Sequence, residues 1–469
     1  MFKTLKNAWK IPELRKKLLF TLLIVVLYRV GANIPVPYVD PQVFQDASAI
    51  TSGTILHYLN ILSGEALGKA TLLALGVSPY ITSSIVIQLL TIAIPALERW
   101  SKDGENGRKK ITALTRIITV ALALVTAIGY AFYLDNAGYL LGNGENGATT
   151  FWQYTVIVLC YCAGAALVMW LAEKINESGI GNGISIILFA NIIAGLPSML
   201  LSVWANVFTD GAFGGFQWQG LILAILEIIL LLGIILLIVW MSDAERRIPI
   251  QYAKRVVGRK MYGGQNTNLP LKVNMSGVMP IIFANSIVAI PATIASFMGN
   301  KTNWFTKLIN GDWGFINNME VENPVGAGWL QSLLSFSYMA WPYLLIFFVL
   351  LIAFAYFYVM ISFNPVEVAN NIKNNGGAIP GIRVGRPTVD FIKKVLYRIT
   401  LVGALLVAFI ACFPMAINII CTLEPIGFTG FAALAFSGSS MMIMVGVALE
   451  TVRELEAQMS LRNYKGFLD

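Results

Sequence analysis

Residues 70–110 read ATLLALGVSPYITSSIVIQLLTIAIPAL followed by ERWSKDGENGRKK: 28 residues without a charge run into 13 that hold five lysines and arginines. About 20 apolar residues, rising about 1.5 Å each in a helix, cross the hydrocarbon core of a bilayer. Lysine and arginine are retained on the cytoplasmic side during insertion. The stretch therefore reads as a membrane span whose C-terminal end faces the cytoplasm. Working outward, the same alternation recurs. Ten apolar stretches, at 18–36, 71–97, 115–134, 152–172, 183–203, 218–240, 275–298, 340–362, 396–415 and 432–450, are joined by short loops.

The positive charges lie on one side of this pattern. Of 33 lysines and arginines, six fall in the first 17 residues, six between Arg99 and Arg116, and seven between Arg246 and Lys272. Six more lie between Lys373 and Arg398 and three after Thr451, with Lys174 completing the 29. The opposite loops hold only Lys69, Lys301 and Lys307, and Arg29 lies inside the first stretch. The asymmetry places both termini inside. Composition agrees: 57% of residues are hydrophobic, 12% are charged, and the mean hydropathy is +0.70, where a soluble domain carries about 25% charge. The net charge of +8 follows from insertion and gives no reason to expect direct nucleic-acid readout. A partner built partly of RNA stays compatible with it.

Ten spans divide into five plus five. An odd number per half sends the second half in from the opposite side, so an internal repeat must be inverted about an axis in the membrane plane. The expected fold is an all-α polytopic membrane protein of ten transmembrane helices in two inverted halves. A cytoplasmic amphipathic helix is expected over 1–17, where Phe2, Leu5 and Trp9 alternate with Lys3, Lys6 and Lys10. The N-terminal half covers 18–203, the C-terminal half 218–450, and a cytoplasmic tail 451–469. The basic start runs into the first span without a small-residue cleavage site, so it does not read as a removable signal peptide. Prolines at 79, 280 and 414 fall in the spans, where neighbouring helices can satisfy the freed backbone groups. The inside loops 241–274 and 363–395 are long, basic and rich in Gly and Pro. They are the natural docking surface for a cytoplasmic partner.

The missing residues narrow the function. Cys160, Cys162, Cys412, Cys421 and the lone His57 offer no metal-ligand spacing. The run Gly179-Ile180-Gly181-Asn182-Gly183 lacks the preceding strand and following Lys-Ser/Thr of a phosphate loop, and reads as a tight turn. No catalytic constellation and no cofactor are expected. A secondary transporter with inverted repeats is the alternative from another class. It needs paired ionisable groups at membrane depth, and the spans offer only Arg29, Glu227 and Glu450, with no obvious pair.

Several motifs together resemble one family. Leu75-Gly76-Val77-Ser78-Pro79-Tyr80-Ile81-Thr82-Ser83-Ser84-Ile85, continued by Ile87-Gln88-Leu89-Leu90, looks like the second segment of SecY protein-translocation channels. Gly104-Glu105-Asn106-Gly107-Arg108-Lys109-Lys110-Ile111, Gly179 through Ser185, and Ala244-Glu245-Arg246-Arg247-Ile248-Pro249 follow in order. Tyr252-Ala253-Lys254-Arg255, Leu269-Pro270-Leu271-Lys272-Val273-Asn274, Asn364-Pro365 through Pro380-Gly381-Ile382-Arg383, and Leu455-Glu456-Ala457-Gln458 complete the match. The resemblance covers nearly the whole chain and points to the bacterial form.

It implies an hourglass of pseudo-symmetric halves around a central pore. A waist of six apolar side chains matches Ile81, Ile85, Leu188, Ile192, Ile282 and Ile443. On sequence alone these are ordinary packing residues; only the resemblance gives them a pore role. A plug is implied over about 62–75, with small residues at Ser63, Gly64, Ala66, Gly68 and Ala70. Spans 2–3 and 7–8 would form a lateral gate through which signal sequences meet membrane lipids. Thr82, Ser83, Gln88 and Asn285 are expected to hold that seam by interhelical hydrogen bonds, with Val86 and Ile290 facing each other across it. Arg246, Arg247, Lys254, Arg255 and Arg383 match the basic sites that dock the SecA ATPase or the ribosome. SecE as clamp, SecG as a further subunit, and signal sequences and unfolded preproteins as cargo are also implied, at the bacterial cytoplasmic membrane. Glu227 and the outer loop 299–339, with Trp304, Trp313 and Trp329, match no family motif.

Overall fold

The structure, a computed structural model, describes residues 2–40, 60, 63–136, 138–141, 151–208, 218–252, 255–257, 260–262, 266–297, 341–423 and 438–465. His57 and the whole of the outer loop 299–339 lie outside these. Among the described residues, α1 (Phe2–Lys10) precedes ten helices that overlie the ten predicted stretches. These are α2 (Pro12–Gly31), α3 (Ser78–Ala93), α5 (Gly104–Asn136), α6 (Phe151–Ser178), α7 (Gly183–Phe208) and α8 (Trp218–Asp243). The last four are α9 (Met279–Phe297), α10 (Trp341–Ser362), α12 (Arg386–Leu423) and α13 (Gly438–Lys465). Two short helices, α4 (Pro95–Lys102) and α11 (Pro365–Asn374), lie between them. Gly104–Asp135, Phe151–Ser178, Leu344–Asn374 and Arg386–Pro414 are each long and apolar enough to cross a bilayer, and α3 with α4 makes a span bent by 103°.

Proline fixes several of these boundaries. The second and seventh stretches were expected to be helical from 71 and 275, but α3 starts at Ser78 and α9 at Met279. Pro79 and Pro280 are the second residues of those helices, where the missing N–H has no intrahelical partner to lose. They begin helices rather than interrupt them; Pro414 lies inside α12. Ile94 is extended ahead of Pro95, because the proline ring disfavours helical geometry in the residue before it. The second span ends there, and α4 turns aside with Leu97 buried and Arg99 and Lys102 in its last turn.

The inverted repeat is visible in single residues. Pro79 stands two residues before Ile81 and Pro280 two before Ile282; Gly183 stands five before Leu188 and Gly438 five before Ile443. A Cβ on Gly183 would overlap the carbonyl of Ala172 in the fourth span, and one on Gly438 that of Ile410 in the ninth. Each half thus sets its fifth helix against its fourth through a glycine at van der Waals contact with backbone, the close approach that small residues permit in membranes.

The two basic inside loops form one structure. β1 (Glu245–Tyr252) pairs antiparallel with β4 (Asn266–Lys272) and with β5 (Gly377–Ala378), in the order β4-β1-β5. Alternation along β1 buries Ile248 and Ile250 and exposes Arg247 and Pro249, the period-2 pattern of a sheet with one face covered. Ala369 and Ile372 of α11, Ile379, and Ile392 of α12 cover it. A smaller hairpin joins β2 (Arg255–Val257) to β3 (Lys260–Tyr262). At the chain ends, Ala8 and Leu14 bury against Ile180 and Leu455, so α1 and α2 meet α13.

Candidate functional site

Four helices pack on one another in turn: α3 on α9, α9 on α13, and α13 on α7. Ile81 and Ile85 on α3, and Leu188 and Ile192 on α7, are pairs four residues apart, so each pair shares one helix face. With Ile282 of α9 and Ile443 of α13 they belong to a single buried cluster, and none exceeds 6% exposure. Branched aliphatic side chains make no directional bonds. They can exclude water and ions from a narrow opening and still yield to a bulky chain.

The segment before α3 meets this cluster only at its end, through Leu73 and Val77; Leu67, Ala70 and Ala74 pack in a second cluster with Ala127, Tyr130 and Ala131 of α5 and Ile157 and Tyr161 of α6. From residue 64 to 77 the backbone is a succession of turns, not the short helix the resemblance implies. The cause is local: Gly64, Glu65, Ala70 and Gly76 all have positive φ, which right-handed helix excludes. Ser63, Ala66, Gly68 and Ala70 are buried, and Gly64 is half-buried. The segment is tied to itself: Ser63 Oγ accepts from Leu67 N (3.0 Å) and Asn60 Oδ1 accepts from Gly68 N (2.7 Å). Its far end is pinned where Leu72 N donates to the Ile34 carbonyl at 2.8 Å.

The polar residues placed on the α3–α9 seam behave otherwise than expected. Thr82 bonds back to the Ser78 carbonyl (3.0 Å), and Gln88 Nε2 reaches Ser84 Oγ (3.4 Å), both within α3. Ser83 shares a hydrogen bond with Thr119, which joins α3 to α5. Asn285 is buried, and its amide atoms have no partner among the described residues. No hydrogen bond among the described residues joins α3 to α9. Serine and threonine in helices often satisfy themselves on the preceding turn, as Thr82 does here. Val86 and Ile290 are 37% and 42% exposed on two helices that pack together.

On the sheet side, Arg246 and Arg383 are exposed and carry no ion pair among the described residues. Arg247 is also exposed but pairs with Glu245 at 2.6 Å. Lys254 and the side chain of Arg255 lie outside the described residues. Lys102 and Lys174 are engaged within their own helices, on Glu98 and Glu177 at 2.6 Å each.

One pair escaped the sequence reading. Arg116 of α5 and Glu173 of α6 form a two-point ion pair, at 2.7 and 2.9 Å, with the glutamate nearly buried. The residues are 57 apart, and each lies at the edge of an expected span, so nothing in their spacing announces the contact. Glu450 lines a cavity of about 460 Å³ with Lys272, Arg453, Glu454, Met442 and Val278. The glycine run at 179–183 is the turn between α6 and α7, with φ of 82° at Gly181. The side chain of Glu227 lies outside the described residues.

Residues 71–452 match the family model SecY. The chain belongs to the SecY family. Curated relatives agree end to end. The protein translocase subunit SecY of Streptomyces galbus is 42% identical over the whole of both chains, and that of Bacillus licheniformis is 37% identical over the same share. Among solved structures, one titled "The structure of a protein conducting channel" superposes with a TM-score of 0.58 at 18% identity, covering 97% of this chain and 96% of that one. Sec61 in the canine ribosome–channel complex gives 0.53 at 16% identity, with the same coverages. At such identities these structures carry the fold. The SecY fold places the ten helices as a multi-pass membrane protein.

Proposed function

We infer that this SecY-family chain is a protein-conducting channel, passing unfolded preproteins across the bacterial cytoplasmic membrane and releasing hydrophobic segments sideways into lipid. The observation that supports it is that the six branched aliphatic side chains matched to the waist, from α3, α7, α9 and α13, all lie in the one buried cluster through which these helices pack. Family membership gives no support to the transporter alternative. The ring forms the waist, the segment 62–75 is its plug, and α3 and α9 flank the lateral gate. The packing of α3 on α9 supports that gate more than the polar residues do. An apolar signal-sequence core of about 7–15 residues wedges there and partitions outward, because lipid stabilises it more than water does.

The chain works as a channel and not an enzyme, so its energy comes from outside. The SecA ATPase or a ribosome docks on the β4-β1-β5 unit. Arginine suits acidic protein surfaces and RNA phosphate alike, since its planar fork binds oxyanions at two points. Both termini and this unit face the cytoplasm, as the charge distribution requires. SecE clamps the two halves and SecG associates with them. Purification of the tagged full chain in mild detergent tests the assembly: a small single-span subunit is expected to co-purify. Recovery of the chain alone, in a form that still exports preprotein with SecA, would contradict the clamp.

A further inference from the structure

Three side chains, one from each of three helices, donate to carbonyls spaced three residues apart on the turn-rich segment before α3. Arg29 Nη1 of α2 donates to the Gly64 carbonyl (3.2 Å). Tyr130 of α5 donates to the Leu67 carbonyl, and Tyr161 of α6 to the Ala70 carbonyl (3.4 Å). Both tyrosines are fully enclosed, at 3% and 0% exposure, with ring centroids 5.2 Å apart, edge to face. Arg29 does more. Its Nη2 donates to the carbonyls of Ala190 (2.8 Å) and Asn191 (3.2 Å) on α7, directly beside Ile192 of the ring. Its neighbour Tyr28 accepts from Asn191 Nδ2 at 2.9 Å. One guanidinium thus ties the first span, the ring-bearing α7 and the segment together. Gly64 is built for it: its φ is +68°, and a Cβ there would stand 2.7 Å from Arg29 Nη1.

We propose that Arg29, Tyr130 and Tyr161 are gating residues that hold the plug shut through its own backbone carbonyls; this rests on the plug reading above. The segment satisfies several N–H groups internally and presents the carbonyls of Gly64, Leu67 and Ala70 outward, so the latch depends on backbone and not on particular side chains of the plug. Its pinned end at residues 71 and 72 is the pivot about which the rest swings once the three bonds part. The link from Arg29 to α7 couples that swing to the ring: a chain that spreads α7 pulls the guanidinium from Gly64. A cation inside the first span, costly in hydrocarbon, is explained by this role.

The test measures resting ion current through the full chain, reconstituted with its co-purifying subunits in planar bilayers without substrate. Tyr130→Phe and Tyr161→Phe remove one hydroxyl each, and Arg29→Gln removes the guanidinium. Each is expected to raise resting open probability by about threefold or more, the factor an average interhelical hydrogen bond in a membrane sets on a two-state equilibrium. Arg29→Lys is expected to fall between Arg29→Gln and the parent. In a chain lacking residues 63–70, Tyr130→Phe and Tyr161→Phe should add nothing, and Arg29→Gln should add less than it does in the full chain, since only its bonds to α7 remain to be lost. Equal added leak in that background would show that Arg29 acts elsewhere and overturn the latch. Ile443→Asn is the separate control for the pore. If it conducts while all three latch variants stay silent, the latch is wrong and the channel stands. If Ile443→Asn is also silent, the pore reading fails first. Should Arg29→Gln fail to assemble, the two tyrosine variants carry the test alone.

Discussion

Ile282 and Ile443 are where a single side chain has the most to decide. Each is buried in the central cluster, and an amide in its place brings a group that must be hydrated or hydrogen-bonded. Ile282→Asn and Ile443→Asn are expected to wet the waist. Closed-channel conductance in planar bilayers should rise, and preproteins with weak signal sequences should pass more readily; unchanged conductance in both would remove these residues from the ring. Arg383 makes the complementary case on the surface. One reversed charge among the 29 expected inside is too few to flip topology, so, if the proposed docking holds, Arg383→Glu should slow SecA-driven export while the channel still inserts and folds. Normal export rates would clear the exposed arginine of a docking role. The six positions proposed for the ring came only from family motifs, because isoleucine on an apolar helix carries no mark of its own. The Arg116–Glu173 pair and the Arg29 contacts were not legible at all. Their partners are far apart in sequence or are backbone carbonyls, which sequence does not distinguish.

Helices were read more surely than their ends. Span existence follows from charge-free length, so ten stretches in the sequence correspond to ten helices among the described residues. Their starts moved where proline and positive φ intervened, at Ser78 and Met279, and the bend at Ile94 came from the proline after it. The strands of the β4-β1-β5 unit lay inside stretches that read as basic loops; β1 and β4 pair within one loop, and β5 joins them from more than a hundred residues away. The lateral gate belongs to this scale. With the four native cysteines removed, Val86→Cys and Ile290→Cys are expected to oxidise in the closed channel and block new substrates, with reduction restoring transport. A disulfide demands Cα atoms within about 7 Å, so efficient crosslinking tests the seam stringently. A crosslinked channel that exports at full rate would end the gate on α3 and α9 and leave the pore untouched. Gly183 and Gly438 test the repeat: alanine at either must push two helices apart against a backbone carbonyl. Both variants should lower thermal stability in detergent, each by about 1–3 kcal/mol as overpacking does. A neutral change at either would deny that the close approach matters.

At the scale of the molecule, two inverted halves share a large buried apolar cluster, a turn-built segment meets its edge, and strands from the two basic loops pair in one three-stranded sheet. Each feature suits a passage that stays shut by weak contacts and opens for a polypeptide. Where an arrested chain lies is the measurement that bears on this most directly. A preprotein stalled in the reconstituted channel should photo-crosslink to probes placed at Ile81, Ile85, Leu188, Ile192, Ile282 and Ile443. It should leave probes at Leu236 and Trp240 on the exposed face of α8 unlabelled. Labelling of the α8 face with none at the six central positions would mean that polypeptide does not pass through this centre.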